Sequence, residues 1–465
     1  MENETSSRVG PSDFEATASP WIGATRVLVG LLLLYEIAFG GWWKLNSDWI
    51  GTGAGAPLAD RAARAVADGT YIWYASILET VVIPYAWFWS TVALLLQLAF
   101  GAALLVGFWT RPAAIVGLCY FMTVFNMGTI RTSPTFAVAI AFLLVANAGY
   151  HYGLDGRIQN NTEQWARRSD RIASIGTVPT SWYPSLAALA GLVSLYYLLT
   201  IPDRGYAFAD GLPLVGVELT LLTAVVAGGF ALAYRGADVV ALAADGLRVF
   251  IGYRLLHEVF VRVEPGVNTL LGGAPLELQA AVFTEIAAAH VAPVGAVIDA
   301  VILQALPVWA IAFAVVQLMA GAALFVGYRT RLFGTLAVGY LAVLIALGFV
   351  RLAPLLMMSA VAAAALGGRY ASLDTVTGRA QRPAPTSLAP LPISARSAVS
   401  ALSSIAGAFI ITGLALGIEP SGYGETTGSI SLVMVGFVIV TLTIGLRGGT
   451  RSPASQQTTT AHSGD

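Results

Sequence analysis

Apolar runs of about 20 residues recur along the whole chain, and they restrict its fold more than any other feature. One such run, residues 86–108, is long enough for a helix to cross a hydrocarbon layer of roughly 30 Å. Only 11% of the 465 residues are charged, whereas about 25% is usual in a soluble protein. A β-barrel would need segments of about 10 residues with alternating polarity, and the sequence lacks them. The pattern predicts an all-α, polytopic transmembrane helical bundle.

The apolar runs predict about twelve transmembrane helices. Two longer stretches, 46–85 and 264–304, mix apolar with charged residues, which is typical of short amphipathic helices on a membrane surface. The twelve predicted spans are 22–45, 86–108, 112–130, 133–150, 182–201, 213–234, 240–262, 305–328, 332–349, 352–368, 398–417 and 429–446.

Both ends of the chain are polar. Residues 1–20 are rich in Ser, Thr and Glu, and residues 448–465 are of low complexity, so we predict disorder in both. If the N-terminus is cytoplasmic, most arginines fall in inner segments, which is the usual bias of membrane proteins. We therefore predict a multi-pass protein of the cell membrane with both termini in the cytoplasm. The net charge of −1 gives no reason to expect nucleic acid as a partner.

The sequence repeats itself after about 220 residues. The phrase QLAFGAALLVGFWTR (97–111) returns as QLMAGAALFVGYRTR (317–331), with ten of fifteen positions identical. RVLVGLLLLYE (26–36) likewise matches RVFIGYRLLHE (248–258). The small residues of the shared GAAL core suit close helix packing.

The repeat predicts two membrane units, residues 21–235 and residues 236–447. Each unit would contain six helices. Because six is even, both units enter the membrane from the same side, as parallel repeats do.

Each unit places a carboxyl and a carboxamide near the middle of the membrane. Glu36 is ten residues beyond Arg26, which is about 15 Å along a helix. Gln97 is expected at a similar depth on the next span, and Glu258 and Gln317 repeat the pair. One interpretation is a hydrogen-bond clamp between helices. The other is a proton-linked or quinone-binding site, since these groups can donate hydrogen bonds and carry protons.

The second unit adds more ionisable groups around Glu258. Arg254 is one helical turn earlier and on the same face, so we expect a local ion pair. His257 is adjacent in sequence and is predicted to point elsewhere. Glu218 lies near the outer end of the sixth span without a counterpart in the other unit.

Basic residues also mark the predicted outer interface. Lys44, the only lysine, stands beside two tryptophans and is either an interfacial anchor or a residue at the mouth of a site. Arg131 and Arg351 occupy equivalent places in the two units. They are either arginines that reach from the apolar layer to the membrane surface or part of an outward-facing anion site.

Four motifs in the first unit resemble the DoxX family of small four-helix membrane proteins. They are Arg26, GGWWKL (40–45), GAALLVGFWTR (101–111) and GYHYGLD (149–155).

The resemblance covers residues 22–155 and, less closely, residues 244–374. It implies a DoxX-like four-helix bundle within each unit. Within this family, the DoxD type is the small subunit of thiosulfate:quinone oxidoreductase. The resemblance therefore implies quinone as the cofactor and a partner redox subunit.

Three functions remain open at this point. The leading hypothesis is a quinone-linked redox subunit. The first alternative is a proton-coupled transporter of small molecules, although the sequence predicts no broken helices at corresponding positions of the two units. The second alternative is a membrane scaffold subunit without activity of its own. No metal-binding motif is present in the sequence, so no metal is expected.

Overall fold

The computed structural model describes residues 13–38, 49, 55–67, 70, 72–127, 132–161, 177–200, 214–263, 274–350, 352–370, 372–378, 395–417 and 427–447. All regular secondary structure in these ranges is helical, which confirms the predicted all-α class.

The helices of the first half follow the predicted apolar runs. They are α1 (Asp13–Ala38), α2 (Ala56–Ala67), α3 (Ile72–Ile77), α4 (Ala86–Val106), α5 (Thr110–Asn126), α6 (Ser133–Val145), α7 (Leu154–Asn161), α8 (Tyr183–Thr200) and α9 (Leu214–Tyr234).

The second half has a closely similar order of elements. Its helices are α10 (Val239–Val263), α11 (Ala274–Ala289), α12 (Ala292–Val297), α13 (Leu306–Val326), α14 (Thr330–Ala346), α15 (Ala353–Leu366), α16 (Leu373–Val376), α17 (Ala395–Ala415) and α18 (Thr427–Arg447).

Seven helical stretches of the described chain are long and apolar enough to cross a membrane. A helix occupies each of the twelve predicted spans, but α6, α14 and α15 are apolar and shorter than a full span. These helices are consistent with a multi-pass membrane protein. The seven stretches are Ala18–Ile37, Ala86–Val106, Thr180–Thr200, Gly216–Tyr234, Ala292–Val326, Ser397–Ala415 and Gly428–Leu446.

Two four-helix groups form the centre of the fold. In the first group, α1 packs against α4 and α6, and α5 packs against α4 and α6. In the second group, α10 packs in the same way against α13 and α15, and α14 against α13 and α15. The groups meet through reciprocal contacts, since α1 packs on α15 and α10 packs on α6. Fully buried Ile140 and Met357 belong to the continuous apolar core that results.

A helical hairpin flanks each four-helix group. The first hairpin is α8 with α9, and α9 packs against α10. The second hairpin is α17 with α18, and α18 packs against α1 and α14. The outer helix α8 leaves Leu192 and Leu199 about two-thirds exposed, at 65% and 66%. An exposed leucine surface of this kind is suited to lipid acyl chains.

The repeated phrase ends in a sharp turn between α4 and α5. Gly107 ends α4 with φ +71°, a left-handed conformation that favours glycine. Trp109 is also left-handed, and the carboxylate of Asp155 fixes it by accepting hydrogen bonds from the backbone N–H groups of Trp109 at 2.8 Å and Thr110 at 3.0 Å. Asp155, the aspartate of the GYHYGLD motif, therefore fixes the backbone at the N-terminus of α5.

The turn between α13 and α14 uses the same contacts. Gly327 has φ +73°, Arg329 is left-handed, and Asp374 accepts from the backbone N–H groups of Arg329 at 2.8 Å and Thr330 at 2.9 Å. This repetition explains why the glycine and the final Asp occur in both halves of the sequence.

A buried arginine donates hydrogen bonds at each of these two turns. The Nη1 of Arg26 donates to the carbonyl oxygen of Leu104 at 2.6 Å, and the Nη1 of Arg248 donates to that of Leu324 at 2.5 Å. Both carbonyls belong to the last turn of a helix, where the backbone carries a partial negative charge and lacks hydrogen-bond donors. The arginine of each first helix thus caps the next long helix.

Both halves also contain a break before the second long helix. α3 continues as a π-helical turn, Leu78–Val82, and α12 continues as another, Ile298–Ile302. Trp89 Nε1 donates to the carbonyl of Val81 at 2.9 Å, and Trp309 Nε1 donates to that of Val301 at 3.1 Å. Both π turns lie in the stretches predicted as surface helices, and neither was predicted, because π turns carry no clear signature in an apolar sequence.

Candidate functional site

The predicted site residues are only partly covered by the structure. Lys44, Arg131 and Arg351 lie outside the described residues. Glu36 lies on α1 and is partly buried. The other four predicted residues, namely Gln97, Gln317, Arg254 and Glu258, are described together with their contacts.

Gln97 joins three helices of the first group. Its side chain is buried on α4, and its Nε2 donates to the backbone carbonyl of Leu33 on α1 at 3.2 Å. Its Oε1 accepts from the hydroxyl of Tyr120 on α5 at 3.1 Å. Gln97 therefore binds the backbone of α1 at Leu33, three residues before Glu36.

Gln317 makes the same pair of hydrogen bonds in the second group. Its Nε2 donates to the carbonyl of Leu255 on α10 at 3.2 Å, and its Oε1 accepts from the hydroxyl of Tyr340 on α14 at 2.8 Å. Both glutamines thus act as clamps between helices, as the first of the two interpretations expects. A role of these amides in redox chemistry stays a prediction.

Arg254 forms a buried ion-paired network with two carboxylates. Its side chain is 1% exposed, and its Nη2 donates to Oε1 of Glu258 at 3.3 Å, which confirms the predicted local pair. Its Nη1 donates to Oε1 of Glu218 on α9, whose side chain is also 1% exposed. Glu218 was not predicted as a partner of Arg254, because the two residues are 36 positions apart in the sequence.

His257 and Tyr253 complete this group. Nδ1 of His257 is 3.8 Å from Oε1 of Glu258, so the expectation that the imidazole points elsewhere was wrong. The His257 and Tyr253 rings lie 5.9 Å apart. Within the described part of the chain, neither ring nitrogen of His257 nor the Tyr253 hydroxyl has a hydrogen-bond partner.

We call these five residues the seam cluster, since they lie where α9 packs against α10. Its members are Glu218, Tyr253, Arg254, His257 and Glu258. Ionised groups inside an apolar bundle are costly, so they are typical of a functional site rather than of packing.

The seam cluster has no equivalent in the first half. The repeat aligns Arg254 with Leu32 and His257 with Tyr35, whereas Glu258 aligns with Glu36. The carboxyl is common to both halves, but the guanidinium and the imidazole belong to the second half alone. The two units therefore differ in the chemistry that they can perform.

A further buried histidine lies outside the predicted spans. Nδ1 of His151 is 2.9 Å from the Ser19 hydroxyl, and its Nε2 is 3.1 Å from the Ala146 carbonyl. Burial lowers the pKa of His151 to about 4, because the protonated ring is poorly solvated there. The neutral ring therefore links the start of α1 to the end of α6.

The chemistry available at the seam cluster is acid–base chemistry. It combines two carboxylates with an imidazole and a phenol. The imidazole N–H and the phenol O–H can donate hydrogen bonds to a ligand carbonyl, and the carboxylates and the imidazole can exchange protons. In the described ranges, no group of three or more His, Cys, Asp or Glu side chains is placed to hold a metal ion.

Comparisons with protein families, with characterised proteins and with solved structures found no match for this chain.

Proposed function

We propose that the protein is an integral membrane, quinone-linked redox subunit built from two DoxX-like units. The observation that carries this proposal is the seam cluster, in which ionisable groups of α10 pair with Glu218 on α9, one of the helices long and apolar enough to cross a membrane. Such groups are retained at membrane depth where protons or polar ligands are handled.

The proposed architecture is about twelve transmembrane helices in two parallel units of six. It is supported by contacts that occur twice, namely the clamps of Gln97 and Gln317 and the arginine caps of Arg26 and Arg248. In this proposal the chain resides in the cell membrane with both termini in the cytoplasm.

The side chains of the seam cluster fit a quinone headgroup. The Tyr253 hydroxyl and a ring N–H of His257 have no partner among the described residues, so both are available to donate to a ligand carbonyl. Glu258, the most exposed of the cluster's charged side chains at 17%, would pass protons between His257 and water. A bound quinone would accept two electrons and two protons, and the electrons would come from a partner redox subunit.

Binding of endogenous quinone tests the proposal. The protein is purified with native lipid, and bound quinone is extracted and quantified for the wild type, His257→Gln and Tyr253→Phe. We expect affinity for an added short-chain benzoquinone to fall about tenfold in each variant, the effect of one lost hydrogen bond. The matched control is Tyr35→Phe, at the aligned position of the first unit, which should bind as the wild type does.

Activity provides the second test. With its partner subunits present, the wild type is expected to support thiosulfate-dependent reduction of quinone. Absence of bound quinone and absence of this activity would together refute the proposal. If the substitutions changed stability alone, the protein would instead be a scaffold subunit.

A proton-coupled transporter is the second candidate, and the π-helical turns favour it. The breaks at Leu78–Val82 and Ile298–Ile302 lie at corresponding positions of the two halves. Interrupted helices in corresponding positions point to substrate sites in repeat-built transporters. Uptake of candidate solutes into proteoliposomes under a pH gradient tests this function, and uptake that is unaffected by Glu258→Gln would argue against proton coupling at the seam cluster.

A further inference from the structure

We propose that each half of the protein binds the headgroup of one anionic phospholipid, at the turn between α4 and α5 and at the turn between α13 and α14. The inference goes beyond the proposed function, because it involves neither a quinone nor the seam cluster. It depends on exposed arginines and apolar side chains that each turn brings together.

Both turns lie at the end of a helix that is able to cross a membrane. The apolar stretches Ala86–Val106 and Ala292–Val326 each end one residue before the glycine of the turn, Gly107 or Gly327. A helix that crosses the hydrocarbon layer ends close to the lipid headgroups. We therefore expect the phosphate groups of the bilayer at the level of both turns.

A short helix is fixed against each turn by hydrogen bonds in both directions. The backbone N–H of Asp155, on α7, donates to the carbonyl of Gly107 at 2.8 Å, and that of Asp374, on α16, donates to the carbonyl of Gly327 at 3.0 Å. The two carboxylates in turn accept from backbone N–H groups of the turns. The other side chains of α7 and α16 are therefore held close to the turns.

Each turn carries an exposed arginine without a counter-ion. Arg157, on α7, and Arg329, between α13 and α14, form no ion pair within the described part of the chain. The carboxylates of Asp155 and Asp374 are buried and bound to backbone N–H groups. The two exposed guanidinium groups are therefore available to an anion from outside the chain.

Exposed apolar side chains lie with each arginine, and we call the two sets the turn patches. In the second half, Val376 on α16 is 83% exposed, and the guanidinium of Arg329 lies 5.6 Å from the centroid of the Tyr328 ring. The first turn patch consists of Trp109, Tyr152, Leu154 and Arg157, and the second consists of Tyr328, Arg329, Leu332, Leu373 and Val376.

The two turn patches have similar compositions although their residues differ. The repeat aligns Arg329 with Trp109 and Val376 with Arg157, so the cation and the apolar side chain exchange places between the halves. Each patch nevertheless has one exposed arginine, at least one exposed aromatic ring and a leucine on the short helix. The two halves therefore share this combination of side chains at the turn rather than any single cationic position.

An anionic phospholipid complements both parts of a turn patch. Its phosphate oxygens accept charge-assisted hydrogen bonds from a guanidinium group, and tryptophan and tyrosine side chains prefer the headgroup level of a bilayer. The first methylene groups of its acyl chains can cover the exposed leucine of the short helix. Its net negative charge is attracted by the arginine, whereas a zwitterionic phospholipid has no net charge.

Native mass spectrometry of the full-length protein tests the proposal. The protein is released from detergent that contains phosphatidylglycerol or phosphatidylcholine of equal chain length, and the dissociation constants of the bound lipids are measured. We expect two phosphatidylglycerol molecules to bind more tightly than phosphatidylcholine does. Arg157→Gln and Arg329→Gln should each weaken one of the two by about fivefold, and the double variant should weaken both.

Two controls separate the turn patches from general attraction between charges. Arg235→Gln removes another exposed arginine, at the end of α9, beside which the described chain places no short helix, and it should leave both dissociation constants unchanged. Glycerol phosphate, an anionic headgroup without acyl chains, should not displace the lipids at the same concentration. All three arginines are exposed, so we expect each variant to fold as the wild type does.

Four results would overturn the proposal. They are equal binding of phosphatidylcholine, wild-type binding in both single variants, an equal loss in Arg235→Gln, and displacement of the lipids by glycerol phosphate. Because no quinone is used, none of these results bears on the proposed redox function, which is tested separately.

Discussion

The ion pair between Arg254 and Glu218 gives the clearest test of the energetics of the fold. Both side chains are 1% exposed, so neither charge can turn to water if its partner is removed. Arg254→Met leaves the carboxylate of Glu218 buried without its cation, and we expect a loss of about 3–5 kcal/mol in the free energy of unfolding. Glu218→Gln should cost less, about 1–3 kcal/mol, because Arg254 retains Glu258 at 3.3 Å.

The double variant distinguishes pairing from simple packing. With Arg254→Met and Glu218→Gln combined, no uncompensated charge remains between the two positions, so the loss should be smaller than for Arg254→Met alone. The free energy of unfolding is measured by titration with SDS in mixed micelles. Leu32→Met, at the aligned buried position of the first half, should cost less than about 1.5 kcal/mol. Additive losses in the double variant, or a loss below about 1 kcal/mol for Arg254→Met, would refute the reasoning.

The remaining predictions use the same unfolding measurement. Gln97→Leu and Gln317→Leu should each cost about 1 kcal/mol, because each removes a clamp between three helices, and no effect in either would contradict that role. Gly107→Ala should cost more than about 1 kcal/mol, because φ is +71° and the new Cβ would meet Gly153 Cα at 2.6 Å, whereas Gly191→Ala, with nothing within 4 Å, should be tolerated. The free energy of unfolding should fall by up to about 3 kcal/mol as the pH drops from 6.5 to below 4. The reason is that His151 takes up a proton near pH 6.5 in the unfolded chain and only near pH 4 in the folded protein. His151→Gln should remove this pH dependence.

Local sequence patterns predicted much of the helical framework. A helix occupies every predicted span because long apolar runs leave the backbone no other way to satisfy its hydrogen bonds in a membrane. The pair of Arg254 and Glu258 was also predictable, since residues four apart share a helix face. The repeated phrase pointed to Gln97 and Gln317, but not to the tyrosine hydroxyls that bind them.

The sequence by itself therefore determined an all-helical chain with a phrase that occurs twice and an acid and an amide in each half. Only the tertiary structure decided that Glu218 meets Arg254 and that His257 joins them. The physical reason is that helical periodicity relates residues within one helix, whereas the packing of α9 on α10 depends on the shapes of whole helices. A charge that looked isolated in the sequence acquires its partner only through that packing.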